Sequence, residues 1–86
     1  VSKAKFLLLI WRFLLGKLRL LSGKEICKIL QDNGFTEVRQ KGSHIVMQKA
    51  IEDSTLTAIV PNHSSVKLGT LMSIIRQSQL PRSLFE

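Results

Sequence analysis

Two histidines are the residues of this 86-residue chain best fitted to move a proton, and both follow a turn-forming residue. His44 closes the run Lys41-Gly42-Ser43-His44, and His63 closes Val60-Pro61-Asn62-His63. An unperturbed imidazole changes charge near pH ~6.5, so it can serve as base or acid around neutrality. Arg39, Lys41 and the backbone amides of Gly42 and Ser43 stand just before His44, where they can face developing negative charge. Two plainer readings stand beside this. A histidine in a strand is ordinarily a half-buried polar residue, and one in a loop can cap the helix that follows. Gly42 is equally explained by the geometry of a tight turn. Nothing in the sequence supplies Ser43 with the orienting partner that a nucleophilic serine needs.

Other chemistries are excluded by spacing. One cysteine and two histidines nineteen residues apart do not form a structural zinc set, and one cysteine makes no internal disulfide. The chain has neither GxxxxGK[ST] nor GxGxxG, the glycine loops that cradle nucleotide phosphates. Cys27 reads as a small core residue, with only Lys24 and Lys28 nearby to lower its pKa. The expected setting is a reducing cytoplasm.

The elements that must position the histidines follow from periodicity and punctuation. Ser22-Gly23-Lys24-Glu25 is a capping box, Ile26, Ile29 and Leu30 follow at helical spacing, and Asn33-Gly34 is a stop; a helix is expected over 23–33. Residues 35–40 and 43–49 read as strands joined by a tight turn at Lys41-Gly42. A loop over 50–54 leads to a third strand over 55–60, ended by Pro61. Leu68 opens a helix carrying Leu71, Ile74 and Ile75 on one face and ending near Ser78, and Pro81 stands first in a final turn. The fold class expected is α+β, a helix, a three-stranded antiparallel meander and a helix, with both helices on one sheet face. On the second strand Ser43, Ile45 and Met47 are expected to face the core, and His44, Val46 and Gln48 the other side. A domain of about 65 residues has a thin core, so a stabilising partner makes sense.

Charge divides the chain in two. The net +7 consists of five bases and no acid in residues 1–21, against eight bases and six acids in 22–86. The basic character is therefore mostly that of an N-terminal hydrophobic extension, residues 1–20, expected to be an additional helix. Lys5, Arg12, Gly16 and Arg19 fall on one stripe of it. Arg12 interrupts its apolar run well short of the ~20 residues that span a bilayer, and no small-residue cleavage site follows. Three readings remain open: a helix packed on protein, a helix of residues 3–20 lying in a membrane surface, or an extension of little consequence before the domain, the chain opening on Val1.

From Leu21 to Glu86 the sequence resembles the HicA toxin family. The residues that carry the resemblance are Leu21-Ser-Gly-Lys-Glu-Ile-Cys-Lys-Ile-Leu-Gln-Asp-Asn-Gly-Phe35, Lys41-Gly-Ser-His44, Val60-Pro-Asn-His63 and Leu68-Gly-Thr-Leu-Met-Ser-Ile-Ile-Arg-Gln77, in family order. The resemblance implies a double-stranded-RNA-binding-domain-like fold over residues 21–86. It implies a toxin that cleaves mRNA without a metal or other cofactor, has no DNA target of its own, and is neutralised by a HicB-type antitoxin. The family's catalytic histidine corresponds to His44, and its frequent second histidine to His63. The 1–20 extension departs from the family pattern, as does Gln79, where a small residue or glycine is common.

For such an enzyme the ribose 2′-hydroxyl attacks the phosphate, a base takes its proton, and an acid protonates the departing 5′-oxygen. Phosphate contacts are expected from Lys24, Lys28, Lys41, Lys67 and Arg76, with Arg39 and the Gly42 and Ser43 amides beside the reacting group. Aromatic stacking has few candidates, since residues 22–86 contain only Phe35 and Phe85. Most of these lysines also fit an ordinary solvated face.

Overall fold

A computed structural model describes residues 18–86. Residues 1–17, which hold most of the expected N-terminal helix, lie outside the described residues; residues 18–20 belong to no helix or strand. The elements are α1 (Gly23–Asp32), β1 (Thr36–Lys41), β2 (His44–Ile51), β3 (Ser54–Pro61), α2 (Leu68–Ser78) and a 3₁₀ turn (Arg82–Phe85). The strands form one antiparallel meander in the order β1-β2-β3. The helix–meander–helix expectation is met.

Helix α1 is fixed at both ends by local chemistry. The Ser22 hydroxyl accepts from the Glu25 amide at 3.1 Å, and the Ser22 amide donates to the Glu25 carboxylate at 3.1 Å. At the other end the Gly34 amide donates to the Gln31 carbonyl and the Phe35 amide to that of Leu30, the paired bonds of a Schellman motif. Between them Ile26, Cys27 and Leu30 turn inward. They meet Ile45 and Met47 of β2, Ala58 and Val60 of β3, Leu71 and Ile74 of α2, and Phe85, which is fully buried. Pro81 precedes the terminal 3₁₀ turn instead of opening it.

The first hairpin turns one residue later than expected. Lys41 pairs with His44, so Gly42 and Ser43 are the central pair. Gly42 sits at φ +60°, which a two-residue turn with glycine first requires and a side chain disfavours. Ser43 is accordingly an exposed turn residue and not the core-facing strand residue expected. Ile45 and Met47 do face the core. The 50–54 loop contracts to Glu52 and Asp53, with Ile51 opposite Ser54.

A register shift in β1 decides what the sheet shows to solvent. Glu37 pairs with Met47, but Arg39 pairs with Val46, leaving Val38 as an extra residue between them. Without that insertion Arg39 would stand opposite Ile45, on the helix-covered side. With it, three cross-strand rows share the open face: Lys41, His44 and Pro61; Arg39, Val46 and Ile59; Thr36, Gln48 and Thr57.

Candidate functional site

His44 is the first residue of β2, held in its row by Lys41 on one side and Pro61 on the other. His63 lies two residues beyond Pro61, in a loop whose backbone is tied down on three sides. The Asn62 amide donates to the Ser43 carbonyl at 2.6 Å, joining the loop to the hairpin turn that precedes His44. The Gly23 amide donates to the His63 carbonyl at 2.8 Å, and the Val66 amide to that of Leu21 at 2.8 Å. Gly23 is needed for this approach: a Cβ there would lie 2.1 Å from the Pro61 carbonyl oxygen and 2.9 Å from Asn62 Cα. The loop is thus positioned by backbone bonds, leaving both histidines exposed.

Both histidines line one cleft of about 420 Å³, with Ile59, Pro61, Ser65, Lys67 and Thr70. Lys67 and Thr70 bring the start of α2 to its wall, and Lys67, which precedes α2 at the N-cap, gives it no side-chain cap. Uncapped first-turn amides and the helix dipole favour an anion there. A second hollow of about 520 Å³ adjoins it on the open sheet face, lined by Arg39, Lys41, Gly42, His44, Val46 and Ile59. His44 and Ile59 belong to both. No aspartate or glutamate is among the lining residues, whereas Arg39, Lys41 and Lys67 are.

The structure sorts the expected residues into two groups. His44, His63, Arg39, Lys41, Gly42 and Lys67 come together around the two hollows, with Ser43 holding the His63 loop through its carbonyl. Lys24, Lys28 and Arg76 line neither hollow. Lys28 pairs with Asp32 at 2.5 Å along α1, and Arg76 donates to the Ser73 hydroxyl at 3.4 Å on α2. Sequence reasoning missed Ser65 and Thr70, which carry no distinguishing signal, and Ile59, which does. In β3 the alternation Thr55, Thr57 against Leu56, Ala58, Val60 is broken by an isoleucine on the threonine side.

Among the described residues two titrating groups are shifted, and neither lines a hollow. The Ser22 amide, and then its hydroxyl, hold the Glu25 carboxyl below the ordinary carboxylate value. Burial, helped by Glu37, pushes the Cys27 thiol up and keeps it protonated. Among the described residues no group of three His, Cys, Asp or Glu side chains is placed to hold a metal ion. Among them, too, no helix is long and apolar enough to cross a membrane.

Compared with known protein families, residues 23–80 match the family described as the HicA toxin of bacterial toxin–antitoxin systems. The chain belongs to the HicA toxin family. The match runs from the first residue of α1 to just beyond α2, and so takes in the whole sheet, both histidines and both hollows. Comparison with curated proteins finds no match. Membership of the HicA family gives the chain a toxin role in a pair whose other member is an antitoxin.

Proposed function

We propose that this HicA toxin is a metal-independent endoribonuclease of the cytoplasm that cuts mRNA, with His44 as its principal acid/base group and His63 as its partner. The observation that carries the reading is the shared cleft: the turn before β2 and the loop after β3 bring two exposed histidines to line one cleft, which Lys67 also lines. One imidazole takes the proton of the ribose 2′-hydroxyl as that oxygen bonds to phosphorus. The other gives a proton to the 5′-oxygen as its bond to phosphorus breaks. The products are a 2′,3′-cyclic phosphate and a free 5′-hydroxyl, and no oxidant, reductant or cofactor enters the balance. Lys67 and the uncapped start of α2 favour the added negative charge on the phosphate oxygens. A HicB-type antitoxin is the partner that holds this activity in check.

Cleavage of RNA by the purified chain, with EDTA present throughout, tests the reading. Wild type cutting to 2′,3′-cyclic phosphate ends, with His44→Ala inactive, is the expected result. If neither protein cuts while both bind RNA, the enzyme is replaced by a non-catalytic RNA-binding module on the same fold.

A further inference from the structure

The hollow on the open sheet face is chemically unlike the cleft beside it. The cleft offers imidazoles, hydroxyls and an ammonium group, which suit phosphate and ribose. The hollow offers Val46 and Ile59 as an aliphatic floor, with Arg39 and Lys41 at its rim. Ile59 is 47% exposed, although it shares its face with threonine on β3 and contributes nothing to the core cluster. An apolar side chain between cations, on a face that no described helix covers, is poor design for solubility and good design for a flat apolar ligand with a phosphate attached.

We propose that Val46 and Ile59 seat one unpaired nucleobase of the RNA, with Arg39 over or beside it, while the adjoining phosphate lies at His44. This rests on the ribonuclease reading above and narrows its substrate to single-stranded RNA. Continuity carries it: His44 and Ile59 line both hollows, so a nucleotide whose phosphate meets His44 has its base directed to Ile59. Charge agrees, since the rim is cationic and no acid lines it. Among the described residues the aromatic platforms are gone, Phe35 and Phe85 being 3% and 0% exposed. An aliphatic floor and a guanidinium plane remain as the surfaces on which a base can lie. A paired base in an A-form helix presents its faces to its stacked neighbours and has none to offer; a base in a single strand or loop does. The fold's likeness to duplex-binding domains therefore does not extend to this substrate.

The test is binding of the full chain to a short RNA carrying 2′-O-methyl groups throughout, which it cannot cut. The strand is compared with its blunt duplex and with versions carrying one abasic position walked along it. The single strand is expected to bind about tenfold or more tightly than the duplex, and one abasic position to weaken it by about tenfold. Ile59→Thr, which keeps a β-branched residue in the strand, should lose the same factor and then be indifferent to that abasic position. Arg39→Gln should show the same indifference in part. Equal binding of duplex and single strand overturns the proposal, as does an abasic penalty undiminished in both variants. So does an Ile59→Thr protein that binds RNA normally but no longer holds its antitoxin, which would make the hollow a protein-docking surface. Cutting of the unmodified strand is scored separately. If wild type never cuts but the abasic cycle holds, the ribonuclease reading fails and the base seat stands; cutting with a flat cycle gives the reverse.

Discussion

The three strands have two faces built to opposite rules. On the covered face Ile45, Met47, Ala58 and Val60 are packed beneath the helices and nearly without solvent exposure. On the open face His44 and Ile59 are exposed, and Val46 is buried only because it lies mid-sheet between Arg39 and Ile59. Residues adjacent in β2 thus answer to different demands, Ile45 to packing and His44 to the cleft. The contrast teaches that in so small a domain the core and the site share strands but not side chains, so stability and activity can be separated one residue at a time.

The largest effects should fall on opposite readouts. His44→Ala is expected to lower RNA cleavage by about 10² to 10⁴-fold while leaving the melting temperature where it was. Met47→Ala should cost about 2–5 kcal/mol in urea denaturation, with residual activity tracking the folded fraction. A His44→Ala protein that melts early would break the contrast. Gly23→Ala should breach it from the covered side. Its methyl group meets the Pro61 carbonyl, so a cost of about 1–3 kcal/mol should come with weakened cleavage, as the His63 loop is displaced. Imidazole NMR shifts of His63 are the direct measure.

Two smaller changes should sharpen it by sparing the site. Gln79 ends α2 in the left-handed region at φ +58°, which a side chain resists. Gln79→Gly should raise stability by up to about 1 kcal/mol with cleavage unchanged. Glu25, bonded to the Ser22 amide, has a lowered pKa in the fold. Its contribution is therefore present above the ordinary carboxylate pKa and is lost as pH falls through the lowered value. Glu25→Gln keeps the capping geometry but removes that titration. Melting temperatures followed from neutral pH into acid should fall less steeply for the variant, by a small margin because the group is exposed.

What was legible in the sequence was what local residues decide alone. The Ser22–Glu25 box, the Asn33-Gly34 stop and the periodicity of α2 each act within a few residues, and each appears where its pattern puts it. The first turn slipped by one because Lys41 and Ser43 are equally acceptable beside Gly42, and only the pairing of Lys41 with His44 decides between them. Val38 carries no mark of being the extra residue in β1. The nearness of His44 and His63 was not readable from spacing either, since it depends on the bond from Asn62 to Ser43 across the sheet end. Lys24 and Lys28 looked as suitable for phosphate as Lys67. Position on α1 separates them from the hollows, and composition does not record it.

The extra residue in β1 has a consequence for self-association. The meander has two outer strands, and β3 is guarded where the Ile59 amide donates to the Gln77 side chain of α2. Among the described residues nothing gives β1 such cover, and all six of its residues are exposed. A long flat edge of this kind invites a second chain to pair with it and to propagate into aggregates. The interruption at Val38 twists the edge out of register with any regular neighbour, and Glu37, Arg39 and Lys41 add charge along it. The same irregularity that turns Arg39 toward the open face helps to keep one copy from docking edge to edge with the next.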